Sequence, residues 1–245
     1  MTTNGSGAGP GTGTESTPRT DITLILDRSG SMKPRRDEVI RSVNDLLAEQ
    51  RAVPGKAKIS LVQFDHEYDA VHRGVRLANA PDLTAETYEP RGTTALLDAV
   101  GRTIRDTEDR LERRALKRKA KGKDPSPPRV LVVVITDGLE NASTDHTLEG
   151  VRREIARLES ESNWSFVFLG AGLDAFAQAG GMGMRSQRSM RMGRSGQAWS
   201  RSMAVMSCKM RNFRGMASDA TPDEVRSALE FTDDERQDAD DRPGD

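Results

Sequence analysis

Leu24-Ile25-Leu26-Asp27-Arg28-Ser29-Gly30-Ser31-Met32 is the stretch on which the reading of this chain turns. An apolar run of strand type stops at an acid, and two hydroxyls follow at alternate positions. Asp27, Ser29 and Ser31 therefore offer three oxygens from one short loop, with Gly30 permitting a tight bend. Oxygen-only donors of this kind suit a hard cation such as Mg²⁺ or Mn²⁺. One carboxylate holds such an ion weakly, so further anionic charge has to come from elsewhere in the chain.

Two later segments can supply it. Val130 to Ile135 is the most apolar run in the protein and ends in Thr136-Asp137-Gly138. Between the two strands, Arg91-Gly92-Thr93-Thr94-Ala95-Leu96-Leu97-Asp98 is a hydroxyl-bearing turn that opens a helical pattern. In an open parallel sheet, residues just past the carboxyl ends of strands converge on one crevice. Asp27 and Asp137 are expected there, with a hydroxyl from Gly92-Thr93-Thr94 reaching in from a third loop.

Asp-x-Ser-x-Ser, Gly-x-Thr-x-Leu-x-Asp and Ile-Thr-Asp-Gly, in this order and each in its strand or turn context, resemble a von Willebrand factor type A domain with a metal-ion-dependent adhesion site. The likeness spans roughly residues 20 to 215. It implies that Ser29 and Ser31 bind the ion directly, that Thr94 does so directly or in an alternate state, and that Asp27 and Asp137 act directly or through water. The family's spacing to Leu96 and Asp98 selects Thr94 over Thr93. It also implies that a partner protein's Asp or Glu completes the coordination of Mg²⁺, or Mn²⁺, so that the domain works as an interaction module and not as an enzyme. Asp65, Asp98 and Glu140 are near enough in sequence to orient waters or ligands around the ion, but read better as ordinary loop and helix acids.

The remaining pattern is that of an α/β protein. Strands are expected at about 21–26, 58–64, 68–75, 130–135 and 165–169, alternating with amphipathic helices that carry Val39, Val43, Leu46 and Leu47, then Leu96, Val100 and Ile104, then Val151, Ile155 and Leu158. This predicts a doubly wound, mostly parallel, Rossmann-like sheet with helices on both faces. The short link after Phe64 makes the third strand an antiparallel edge, protected by His72, Arg73 and Arg76.

Of the 245 residues, 35% are hydrophobic and 31% charged, low and high for a compact domain. Polar ends account for this: residues 1–20 read as a disordered tail, residues 21–216 as the domain, and 217–245 as an acidic tail with one short helix to about Phe231, disordered from Asp233 onward. A net charge of −1 gives no general argument for nucleic acid or an anionic membrane. One cysteine, Cys208, excludes an internal disulfide and is expected to be buried; no secretory signal or membrane-length apolar run is seen, which points to a cytoplasmic protein.

Residues 180–216 contain eight of the ten methionines and eight Arg or Lys, without an acid. Trp199, Met203, Met206 and Met210 share one helical face, which reads as core packing; a basic, Met-rich partner surface is the alternative. From Asp219 on, eleven acids face three arginines, so this end is expected to fold back over the basic stretch. The basic run from Arg113 to Lys123 reads as a solvated helix tip and linker.

Two rivals remain. A Mg²⁺-dependent phosphohydrolase of haloacid dehalogenase type also places Asp at two strand ends, but it needs a second acid where this chain has Ser29. A salt-sensitive binder of nucleic acid or acidic protein could use the basic segments, but aromatics are only 4% of residues and stacking platforms are lacking.

Overall fold

Six strands form one sheet in the computed structural model, which describes residues 18–171 and 173–240. They are β1 (Thr20–Asp27), β2 (Ala57–Phe64), β3 (Tyr68–Arg76), β4 (Arg129–Thr136), β5 (Trp164–Ala171) and β6 (Ser189–Met192). The order across the sheet is β3-β2-β1-β4-β5-β6, and every pairing is parallel except β2 with β3. The helices among the described residues are α1 (Arg36–Ala52), α2 (Leu96–Ala120), α3 (Leu148–Glu161), α4 (Leu173–Gly181), α5 (Gly196–Gly215), α6 (Pro222–Ser227) and α7 (Asp233–Ala239).

The period of two along the central strands assigns the faces. Leu131, Val133 and Ile135 join Leu24 and Leu26 against α1 and α5, where Val39, Val43, Trp199, Met203 and Met206 are buried. Val130, Val132 and Val134 face the other way with Ile25 and Phe166, against α2, α3 and α4. A strand buried on both faces needs a continuous apolar run, which is why β4 is the most apolar segment of the chain. β3 lies at the edge as expected.

Two expectations need correction. Five strands are expected from the sequence, but Ser189–Met192 pairs with Phe168 to Ala171 as a sixth, parallel strand before α5 begins. Four residues with an Arg between two methionines carry too little periodicity to announce a strand. The basic run is a largely exposed helix tip to Ala120 followed by a connection to β4, as expected, except that Arg114 turns inward to Asp21. Cys208 is half-buried on α5 and not part of the core.

The acidic end departs furthest from expectation. Asp233–Ala239 is a helix and not disordered, because Thr232 accepts from the Glu235 amide while the Glu235 carboxylate accepts from the Thr232 amide, a reciprocal cap that settles two orphan donors. Leu229, Phe231 and Ala239 are buried, Glu235 pairs with Lys209 at 2.8 Å, and Arg201 Nε donates to the Asp238 carbonyl at 2.6 Å. Residues 222–239 thus fold back over the basic α5, held by apolar burial as well as charge. Most of the N-terminal tail reading, and the last five residues of the acidic one, lie outside the described residues; Thr20 already belongs to β1.

Candidate metal centre

β1 and β4 are adjacent and in register, Leu26 opposite Ile135, so the loops that leave them open at the same rim. Asp27 ends β1 with a fully buried carboxylate. Its Oδ1 accepts from the Ser29 amide at 2.6 Å and its Oδ2 from the Thr136 hydroxyl at 2.5 Å. The Ser29 and Ser31 hydroxyls lie 3.0 Å apart, and Ser31 donates to Asp137 Oδ1 at 2.6 Å. The Asp137 side chain is only 6% exposed. Thr94 is buried whereas Thr93 is exposed, and a Cβ placed on Gly138 would lie 2.9 Å from Thr94 Oγ1 and 3.4 Å from Asp27 Oδ2. Hydrogen bonds thus link Asp27, Ser29, Ser31 and Asp137 in one row, and Thr94 approaches Asp27 across the backbone of Gly138.

The loops carrying them are laced together. The Gly30 amide donates to the Gly92 carbonyl at 3.1 Å, and the Arg91 amide to the Arg28 carbonyl at 2.7 Å. Gly30 serves close approach and not a tight bend: its φ is not positive, but a Cβ would stand 3.3 Å from the Gly92 carbonyl, close enough that this backbone contact would have to give by a few tenths of an ångström. Asn141 Oδ1 accepts from the Thr94 amide, which orients that residue. Glu140 accepts from the amides of Leu97, Ala142 and Ser143. Asp98 accepts from those of Thr144, Asp145 and His146. Asp65 is fully buried and takes both Arg28 Nε and Arg91 Nε at 3.0 Å. Each of these three acids spends its oxygens on holding loops, which leaves Asp27 and Asp137 as the carboxylates of the rim.

Two rim residues escaped the sequence reading. Thr136 stood inside a quoted motif, but only the structure turns its hydroxyl onto Asp27. Arg35 carried no signal, because its role depends on a helix 160 residues away in the chain: its guanidinium lies 3.5 Å from Asp137 and 5.3 Å from the Trp199 ring centroid, with Nε and Nη1 buried and without hydrogen-bond partners.

Burial pushes the Asp27 carboxyl up to about 6, against the pull of its hydrogen bonds to Thr136 and Ser29; nearby Asp137 adds to the rise. A folded-state pKa above the unfolded value of 3.8 means that the fold favours the protonated acid. That contribution is present below pH 3.8 and is lost as pH rises through about 6, so at pH 7 the metal-free protein holds a disfavoured buried charge. A divalent cation relieves that penalty, and the donor set of hydroxyls and carboxylates has the hard-oxygen chemistry such an ion requires. Among the described residues no group of three or more His, Cys, Asp or Glu is placed to hold a metal; the rim hydroxyls are thus needed to complete a ligand set. Divalent cations such as Mg²⁺ are expected to raise the melting temperature most at pH 7.5 and less as pH falls through 6, because a proton competes for Asp27; scanning fluorimetry across that range measures it.

An open doubly wound sheet whose carboxylate and hydroxyl loops share one rim defines a class of protein. A family model for the von Willebrand factor type A domain matches residues 21–192, and the chain belongs to that family. The chain is similar in fold to a von Willebrand factor type A protein from Catenulispora acidiphila, at 14% identity and a TM-score of 0.51 over 80% of this chain and 43% of that one. Proximal thread matrix protein 1 of the mussel byssus, in a structure with a zinc-occupied MIDAS motif, is similar at 14% identity and a TM-score of 0.54, covering 79% of this chain and 48% of its own. The manganese-loaded TRAP protein of Plasmodium vivax matches at 17% identity and a TM-score of 0.50, over 78% of this chain and 73% of that one. The chain thus spans about half the length of the mussel protein. No curated protein matches it in sequence. Among the described residues no helix is long and apolar enough to cross a membrane.

Proposed function

We propose that this domain binds Mg²⁺ through Asp27, Ser29, Ser31, Thr94 and Asp137 and uses the ion to ligate an Asp or Glu side chain of a partner protein, working as an intracellular interaction module. The observation that carries this reading is the single hydrogen-bonded rim running from Thr136 through Asp27, Ser29 and Ser31 to Asp137. When bound, the ion supplies a Lewis-acidic position that an outside carboxylate can fill. The chain's own groups prepare for it. The Ser29 amide and the Thr136 hydroxyl orient Asp27, Asn141 fixes the Thr94 backbone, and the neutral hydroxyls leave the ion short of negative charge. The relatives whose structures hold zinc or manganese support divalent metal binding; the choice of Mg²⁺ follows from hard-oxygen donors. The intracellular assignment is supported by the lone cysteine. Residues 21–216 make up the domain on this reading, with α6 and α7 as a strap across α5.

Recovery of a partner from cell extract in Mg²⁺ but not in EDTA, and its loss with Asp137→Ala in Mg²⁺, is the expected result; equal recovery in both buffers sinks the reading. Absence of turnover of a generic aryl phosphate is expected as well, since Ser29 stands where a hydrolase needs its second acid. Arg35 makes a further prediction. Its positive charge beside Asp137 opposes a dication, so Arg35→Gln is expected to tighten Mg²⁺ binding roughly tenfold, a change of about 1.4 kcal/mol, in a calorimetric titration.

A further inference from the structure

At the opposite end of the sheet, where β1 and β2 begin, lies a second concavity of about 420 Å³. A strand of eight residues separates the two ends, roughly 25 Å at 3.3 Å per residue. Eight Arg or Lys side chains line this cavity and no Asp or Glu does. Arg19, Arg51 and Arg114 each have a carboxylate outside it, Asp124, Asp82 and Asp21 respectively. Asp21 is shared with Arg110, which lowers its worth to Arg114.

Among the described residues the other five lining cations form no ion pair with a carboxylate, although Asp21 draws on Lys58 and Asp124 on Arg118 from farther off. Lys58 donates to the Gly74 carbonyl at 2.6 Å, and Arg118 to the Asp124 carbonyl at 2.5 Å. Arg214 is only 3% exposed, yet its guanidinium meets oxygens of Gln50 and Val53 alone, the latter at 2.9 Å. Lys56 and Arg76 are exposed, and among the described residues neither side chain has a hydrogen-bond or ion-pair partner. Burial, then the neighbouring Arg114, holds the Lys58 ammonium below its ordinary value; burial, then Arg118, does the same to Arg19. These cations repel one another in a partly desolvated space, and an anion would reverse that cost.

We propose that this cavity binds a compact oligophosphate, two or three phosphate groups in a row, carried by an inorganic chain or by a nucleotide. Arginine forks match phosphate oxygens bidentately, and most of the lining cations are arginines. At least five positive charges outside ion pairs call for more than one phosphate, since each terminal group carries about −1.5 to −2. The apolar lining from Val53, Ala57, Leu77 and Pro128 contains no aromatic ring on which a base could stack, and the site is a pocket and not a track. A nucleic-acid strand is therefore disfavoured relative to a small polyanion. The site is independent of the candidate metal centre and of the function proposed for it.

The test is isothermal titration of the full chain with sodium tripolyphosphate in a buffer free of divalent cations, at about 50 and about 200 mM salt. Binding at one site per chain, weaker at the higher salt, is expected. Lys56→Gln combined with Arg76→Gln removes two exposed charges that hold nothing in the fold, and is expected to weaken binding at least tenfold with an unchanged melting temperature. Asp137→Ala is expected to leave it unaltered, which separates this site from the rim. ATP in a second arm identifies the carrier: affinity equal to tripolyphosphate supports a nucleotide, and binding of tripolyphosphate alone supports the inorganic chain. No heat with either, unchanged affinity in the double variant, or equal affinity for a short DNA duplex overturns the proposal.

Discussion

Asp27→Asn is expected to abolish the Mg²⁺-dependent thermal upshift while making the metal-free protein more stable at pH 7. The two effects have one cause. The carboxylate sits buried with its pKa raised from the ordinary 3.8 to about 6. At 1.36 kcal/mol per unit this corresponds to a penalty of about 3 kcal/mol in the ionised, metal-free fold. Asparagine resembles the protonated acid: its oxygen can still accept from Ser29 or Thr136, and the charge is gone. Metal affinity is expected to fall by 100-fold or more, beyond the roughly 10–100-fold that follows loss of a supporting outer-shell group. Melting without metal is expected to rise by a few degrees. A variant that still takes up Mg²⁺ with wild-type heat removes Asp27 from the ligand set. One that melts lower without metal shows that the carboxylate's hydrogen bonds outweigh its desolvation.

The largest loss of stability is expected from Asp21→Ala, at the far end of the same strand. Asp21 is fully buried; Arg110 grips both of its oxygens at 2.8 Å and Arg114 adds a third contact at 2.9 Å. Its truncation strands two guanidinium groups that are mostly out of water, and breaking a buried pair from one side costs about 3–5 kcal/mol. For a chain of this size that lowers the melting temperature by roughly 10 °C. Replacing Asp21, Arg110 and Arg114 together by apolar residues of similar volume is expected to recover most of it, because neither guanidinium is then left without its partner. A single variant within 1 kcal/mol of the parent in urea unfolding would mean that water reaches both arginines.

Much of this architecture can be read without coordinates, because the strongest physical constraints are local. β1 and β4 are buried on both faces and declare themselves through the apolar runs Leu24–Leu26 and Val130–Ile135, and the donors stand where those runs stop. Elements whose existence rests on context were not legible. β6 holds two buried methionines in four residues and becomes a strand because β5 offers it a free edge. α4, Leu173–Gly181, is short and rich in Ala and Gly, so its periodicity is faint. Thr232-Asp233-Asp234-Glu235 is a capping pattern that could have been recognised; the count of acids around it suggested a solvated tail instead.

The order of residues alone picked out the donors of the proposed site: two carboxylates and three hydroxyls, each set at the end of an apolar strand or at the head of a helix, because a strand that enters the core must be apolar and a donor must lie just beyond it. Folding in three dimensions decided the rest. The Asp27 charge is raised in energy by the walls around it, Arg35 is set against Asp137 by the ring of Trp199, and eight cations from segments scattered between Arg19 and Arg214 come to face one cavity. Burial and long-range pairing depend on which surfaces meet, and that is a property of packing which no single segment contains.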